Sequence, residues 1–167
     1  MATGAAIHEF LAKYTPGIAA QVQAARKHLA GHFPRGFELV YDNYNALVFA
    51  IASSERASTA ILSLAAYPRW VTLFFAQGTS LDDPTHLLEG TGAQFRSIRL
   101  QPLSRLHEPA VQALILAAKA AVRAELAAAP PLATVIKSVS AKQRSRTPPP
   151  KLPTLAARQS KAPRGGA

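Results

Sequence analysis

The run Tyr41-Asp42-Asn43-Tyr44-Asn45 places two phenols and two amides within five positions, a dense set of hydrogen-bond donors and acceptors. A second run, Tyr67-Pro68-Arg69-Trp70, sets a guanidinium between large aromatic rings. Such a group can stack on a planar ligand or grip a carboxylate or phosphate through two parallel hydrogen bonds. A third, Gly90-Thr91-Gly92-Ala93-Gln94-Phe95-Arg96 with Arg99 beyond it, combines flexible backbone amides with two cations, the material of an anion nest. Polar-tipped side chains are costly to bury without partners, so their concentration marks a binding site or a specialised turn.

Each run also has a plainer reading. Asp42 and Asn43 suit a hairpin turn in which they bond their own main chain. Trp70 can be core, with Arg69 paired to an acid such as Glu89. Gly90 can simply end a helix. The binding reading expects Tyr41, Asn43, Tyr44, Asn45, Tyr67, Arg69, Trp70, Gln94 and Arg96 to converge on one hollow that takes a small anionic or planar ligand. That convergence depends on folding, because the three bends lie far apart in the chain.

Catalytic chemistry finds no comparable foothold. The glycine pattern at 90–92 lacks the third glycine of a dinucleotide fingerprint, since Phe95 stands there. His28 and His32 have the i, i+4 spacing that can chelate a metal. They fall at a helix C-terminal end, where the dipole favours imidazolium, and no third ligand follows at a fixed spacing. No metal ligand or cofactor is therefore expected. His8-Glu9 and His107-Glu108 lack the second histidine of a zincin, Ser53, Ser54 and Ser58 lack nucleophile-elbow glycines, and no Walker loop occurs. The expected class is a non-enzymatic binding module.

The elements that must position these residues read as follows. Ile7, Phe10, Leu11 and Tyr14 form the stripe of a first amphipathic helix. Thr15 caps a second, with Pro16 at its first position and Ile18, Val22, Ala25 and Leu29 on its apolar face. Strands are expected over 37–42, 45–52, 61–66, 70–76 and 96–101, with a short helix from Asp82 to Leu88. A last helix starts at Glu108-Pro109 and carries Val111, Leu114, Ile115, Ala118 and Val122 inward. The sum is an α+β domain: an antiparallel five-stranded meander packed by N-terminal and C-terminal helices.

Charge divides the chain. Residues 1–127 carry 11 Lys/Arg and 9 Asp/Glu, whereas residues 128–167 carry 8 Lys/Arg and no acid. The domain is expected at 1–127, and 128–167 as a disordered, basic, Pro/Ala-rich tail. Cations at 137–164 can contact nucleic acid through counterion release, without base stacking, because the tail has no Phe, Tyr or Trp. The absence of cysteine excludes disulfides and thiolate sites. No signal-like start and no apolar run of about 18 residues occur, so a cytoplasmic protein with no membrane span is expected.

Tyr41-Asp42-Asn43-Tyr44-Asn45-Ala46-Leu47-Val48, Ser54-Glu55-Arg56-Ala57-Ser58, Ala66-Tyr67-Pro68-Arg69-Trp70-Val71 and Leu87-Leu88-Glu89-Gly90-Thr91-Gly92, in that order, resemble the YdhG-like domain family over roughly residues 5–125. The resemblance implies a compact α+β domain from a family mostly of unknown function. A related branch is described as a frataxin-like intracellular iron chaperone, which makes iron delivery an alternative expectation. An iron surface of that type gathers oxygen ligands on one ridge. Carboxylates such as Glu9, Glu38, Asp42, Asp82, Asp83 and Glu89 are spread along the chain.

Overall fold

A computed structural model describes residues 2–151 of the chain. Helix α1 (Thr3–Ala12) leads through a tight turn into α2 (Pro16–His32). The Thr15 hydroxyl accepts from the Ile18 amide at 3.4 Å and caps α2, with Pro16 supplying a pre-set first turn. The helix stops at Phe33, because Pro34 cannot donate to the ladder. Its inward residues are Ile18, Val22, Ala25 and Leu29, as the apolar period predicts.

Strands β1 (Phe37–Asp42), β2 (Leu47–Ala52), β3 (Ala60–Ala66), β4 (Val71–Phe75) and β5 (Arg96–Arg99) run as an antiparallel meander. Helices α3 (Pro109–Ala120) and α4 (Arg123–Ala128) then return across the sheet to β6 (Ala133–Val139). The order is β5-β4-β3-β2-β1-β6, with β6 parallel to β1. The molecule is thus α+β, but its sheet is six-stranded and mixed rather than a five-stranded antiparallel one.

The sixth strand comes from within 128–167, the stretch expected to be disordered tail. The local sequence explains the correction: Thr134, Val135, Ile136 and Val139 are β-branched and suit a pleated edge. Composition averaged over the basic tail concealed them. Tertiary bonds complete the docking. Arg26 of α2 holds the buried Glu38 through Nε at 2.8 Å and Nη2 at 2.6 Å, and the Thr134 hydroxyl donates to Glu38 Oε2 at 2.8 Å. One carboxylate therefore ties α2, β1 and β6 together. Residues 152–167, the remainder of the expected tail, lie outside the described region.

Two smaller expectations also change. Asp82–Leu88 is not a helix: the Asp83 carboxylate accepts from the Leu87 and Leu88 amides at 3.0 and 2.8 Å, closing a loop turn instead. Trp70 precedes β4 rather than starting it. Gly36, at the entry to β1, has φ +118°, and an added Cβ would stand 2.6 Å from the Ala52 carbonyl oxygen. Only glycine fits there.

All three long helices cover one sheet face, burying Val40, Leu47, Phe49, Leu62, Leu64, Leu73, Phe75 and Ile98 beneath them. On the other face Leu39, Ala50 and Ala52 are shielded by Phe37, Tyr41, Ala60 and Val135, residues of the strands themselves. Among the described residues no helix is long and apolar enough to cross a membrane.

Candidate functional site

The meander decides which bends can meet. The β1–β2 turn carries Asn43, Tyr44 and Asn45, and the β3–β4 turn carries Tyr67, Pro68 and Arg69, followed by Trp70. Both lie at one end of the sheet, where Leu47 pairs with Ala66 and Ala66 with Val71. Main-chain bonds close each turn, Asn43 N–H to Ala46 O at 3.0 Å and Tyr67 N–H to Trp70 O at 2.9 Å.

Gln94 and Arg96 are elsewhere. Arg96 pairs with Phe75, at the far end of β4, and donates to the carbonyls of Gly92 at 2.5 Å and Phe95 at 2.7 Å. The single hollow expected from sequence is therefore split between two ends of the sheet. An odd number of strand passages separates the Gly90–Arg96 loop from the two turns, which is the physical reason. Tyr41 is set apart as well. It packs on the Leu39 face, where its hydroxyl is buried without a hydrogen-bond partner.

The end with two turns is tightly organised from below. The buried Tyr14 hydroxyl accepts from the Leu47 amide at 3.0 Å and donates to the Ala66 carbonyl at 2.9 Å, pinning β2 to β3. Burial pushes this phenol up to about 12, against the opposing influence of Arg146. Asp42 is fully buried between Lys13 Nζ at 2.5 Å and Arg146 Nη2 at 3.0 Å. Arg146 also donates to the Asn43 carbonyl.

The outer surface carries the aromatics. Arg99, not Arg69, stacks on Trp70, with 4.0 Å from guanidinium carbon to ring centroid, and Tyr67 stands 5.9 Å from Trp70. Arg144 lies 5.8 Å from the half-exposed Tyr44 ring. Arg69 is exposed at the turn tip and does not pair with Glu89.

A concave site lies elsewhere. A groove of about 550 Å³ opens where α2 ends and α3 breaks into α4, lined by Phe33, Pro34, Leu116, Ala120, Leu126 and Ala127, with Arg35, Lys119 and Arg123 around it. It exists because two helices stop. Pro34 terminates α2, and Val122, at φ −125° and ψ 30°, turns the chain between α3 and α4. Leu116 is half exposed into the gap. Among the described residues, neither Arg35, Lys119 nor Arg123 forms an ion pair, and no carboxylate lines the groove.

Apolar walls carrying three uncompensated cations suit an amphiphilic anion: the chain displaces water from the walls while a carboxylate or phosphate meets a guanidinium fork. Sequence reasoning overlooked these residues, yet a signal was there. Leu116, Lys119, Ala120 and Arg123 fall at i, i+3, i+4 and i+7, a second stripe beside the inward one of α3. Among the described residues no group of three or more His, Cys, Asp or Glu is arranged to hold a metal ion.

No protein-family model matches the chain, and neither a curated protein nor a solved structure does.

Proposed function

We propose that this protein is a non-enzymatic binding module whose ligand is a small amphiphilic anion held in the α2–α3–α4 groove. The observation that carries the reading is three cations, Arg35, Lys119 and Arg123, on one apolar concavity, none of them in an ion pair among the described residues. Its volume of about 550 Å³ falls within the roughly 300–1,000 Å³ of small-molecule sites. The lining holds no Ser, Cys, His, Asp or Glu, and the amine of Lys119 has no general base beside it there, which favours binding and orientation over covalent chemistry. Membership of the YdhG-like family belongs to the same proposal and rests on the motifs quoted above.

Calorimetric titration with octanoate and with octanol tests this. Octanoate should bind saturably and octanol much more weakly, and Lys119→Ala with Arg123→Ala should weaken octanoate by at least 10-fold, about 1.4 kcal/mol. Equal binding of acid and alcohol, or no effect of the substitutions, would remove the groove from consideration.

A second reading keeps the surface of Tyr44, Tyr67, Arg69 and Trp70, joined by Arg99 and Arg144, as a platform for a planar anion. The Arg99–Trp70 stack at 4.0 Å favours it, since a guanidinium already seated on indole can sandwich a further ring. Tyr41, Gln94 and Arg96 drop out of that site on geometry. Titration with a mononucleotide, followed by Trp70 fluorescence, decides it: an unchanged signal would exclude the platform.

Iron delivery and nucleic-acid contact through 137–164 are alternatives that no arrangement of side chains among the described residues favours. One cation of that basic stretch, Arg146, is committed to Asp42.

A further inference from the structure

Next to the groove, the C-terminal half of α2 faces the start of α3 through a cluster of imidazoles. His28 and His32, one helical turn apart, bring their Nε2 atoms to 3.3 Å. Gln112 of α3 spans the pair, with Oε1 2.9 Å from His32 Nε2 and Nε2 2.8 Å from His28 Nε2. The same amide nitrogen donates to the Leu106 carbonyl at 2.5 Å. His107 packs edge-on against His28, with ring centroids 4.7 Å apart.

Hydrogen-bond accounting assigns the protons. The two amide hydrogens of Gln112 go to Leu106 O and His28 Nε2, so His28 presents a bare lone pair there. Gln112 Oε1 then accepts from His32, which carries its hydrogen on Nε2. The bare Nε2 of His28 is the form in which imidazole binds metals. Burial, reinforced by His32 and His107, lowers the proton affinity of His28 in agreement.

We propose that His28 and His32 form a chelating site for a borderline divalent transition ion such as Zn²⁺, Co²⁺ or Ni²⁺, with Gln112 Oε1 as a third donor. Two imidazole nitrogens bound at roughly 2.0–2.1 Å to one tetrahedral ion stand about 3.3 Å apart, so the observed separation needs no movement of α2. On binding, His32 shifts its hydrogen from Nε2 to Nδ1, and the metal replaces the amide hydrogen at His28. Gln112 keeps its bond to Leu106, and water completes the coordination. With two imidazoles and one neutral oxygen the site is exchangeable and prefers nitrogen-seeking ions over Mg²⁺ or Ca²⁺. It is separate from the groove, whose lining includes neither histidine nor Gln112.

The test is a titration of chelator-stripped full-length protein with Co²⁺, read by visible absorption and by histidine ring NMR. One ion per chain should bind saturably near neutral pH, with the signals of His28, His32 and the adjacent His107 broadened and those of His8 and His86 unaffected. His32→Gln should weaken binding by at least the about 10-fold that even an outer ligand partner costs, with folding checked by circular dichroism. Binding should fall as the medium is acidified, because protons compete for both rings. Absence of saturable uptake, or broadening centred on His8 or His86, would overturn the site, and the wild-type NMR experiment decides this even if the variant misfolds.

Discussion

Asp42→Asn is the perturbation that most directly probes the end of the sheet. The carboxylate is fully buried and meets two cations of different character. Lys13 is 37% exposed along its side chain, so it can turn to water once its partner is gone, and that half of the cluster is worth only about 0–1 kcal/mol. Arg146 is 2% exposed, and its Nε and Nη1 already lack partners, so neutralising Asp42 strands a buried guanidinium. Removing one member of a buried pair costs about 3–5 kcal/mol. The lower figure applies here, because the segment after β6 can peel away. Besides Arg146 it is held by Ser140 N–H to Asp42 O at 2.8 Å, by Arg144 N–H to Tyr44 O at 2.9 Å, and by the Gln143 side chain, which donates to Asp42 O at 3.2 Å and accepts from Lys13 Nζ at 2.9 Å. The expected loss is therefore about 3 kcal/mol, or roughly 6–12 °C in Tm for a domain of this size. Urea unfolding followed by circular dichroism measures it, with amide exchange at Ser140 and Arg144 reporting the local opening. Adding Arg146→Met should recover much of the loss, since it removes the stranded charge. A loss below about 1 kcal/mol, or a double variant whose losses simply add, would refute the argument.

Three further outcomes follow from the same physics. Tyr14→Phe leaves the Leu47 amide without its acceptor in the core and should cost about 1–3 kcal/mol, with faster exchange at that amide. The Tyr14 phenol titrates near 10 unfolded and at about 12 folded, so the unfolded chain releases its proton first as pH rises. Stability should therefore fall between pH 10 and about 12, by about 2–3 kcal/mol in total, and this alkaline limb should be missing in Tyr14→Phe. At the acid side the sign follows from His28, which burial and the neighbouring His32 and His107 hold below its ordinary 6.5. In metal-free protein the unfolded chain gains that proton first. Stability should be complete above pH 6.5 and decline below it, and His28→Gln should flatten that part of the unfolding curve.

Much of the architecture was legible in the chain because it is encoded by local period and local chemistry. The α2 face of Ile18, Val22, Ala25 and Leu29, the Thr15–Pro16 cap and the Asp42–Ala46 turn each rest on neighbours within a few residues. The exchange of Arg69 for Arg99 over Trp70 was not legible, since it depends on β4 pairing with β5 so that Thr72 meets Arg99. Sequence also flagged the His28–His32 spacing but not Gln112, which arrives from another helix eighty-odd positions later.

The amino-acid order by itself determined the three long helices, the five-stranded meander and the polar turns, because caps, alternation and turn residues act over a few bonds. Only tertiary structure decided which turns share an end, that 133–139 completes the sheet, and that Arg35 joins Lys119 and Arg123 at one groove. Those outcomes turn on strand parity, on a buried carboxylate shared by α2, β1 and β6, and on where two helices happen to stop. Each is a contact between distant segments, and no short window of sequence contains both of its partners.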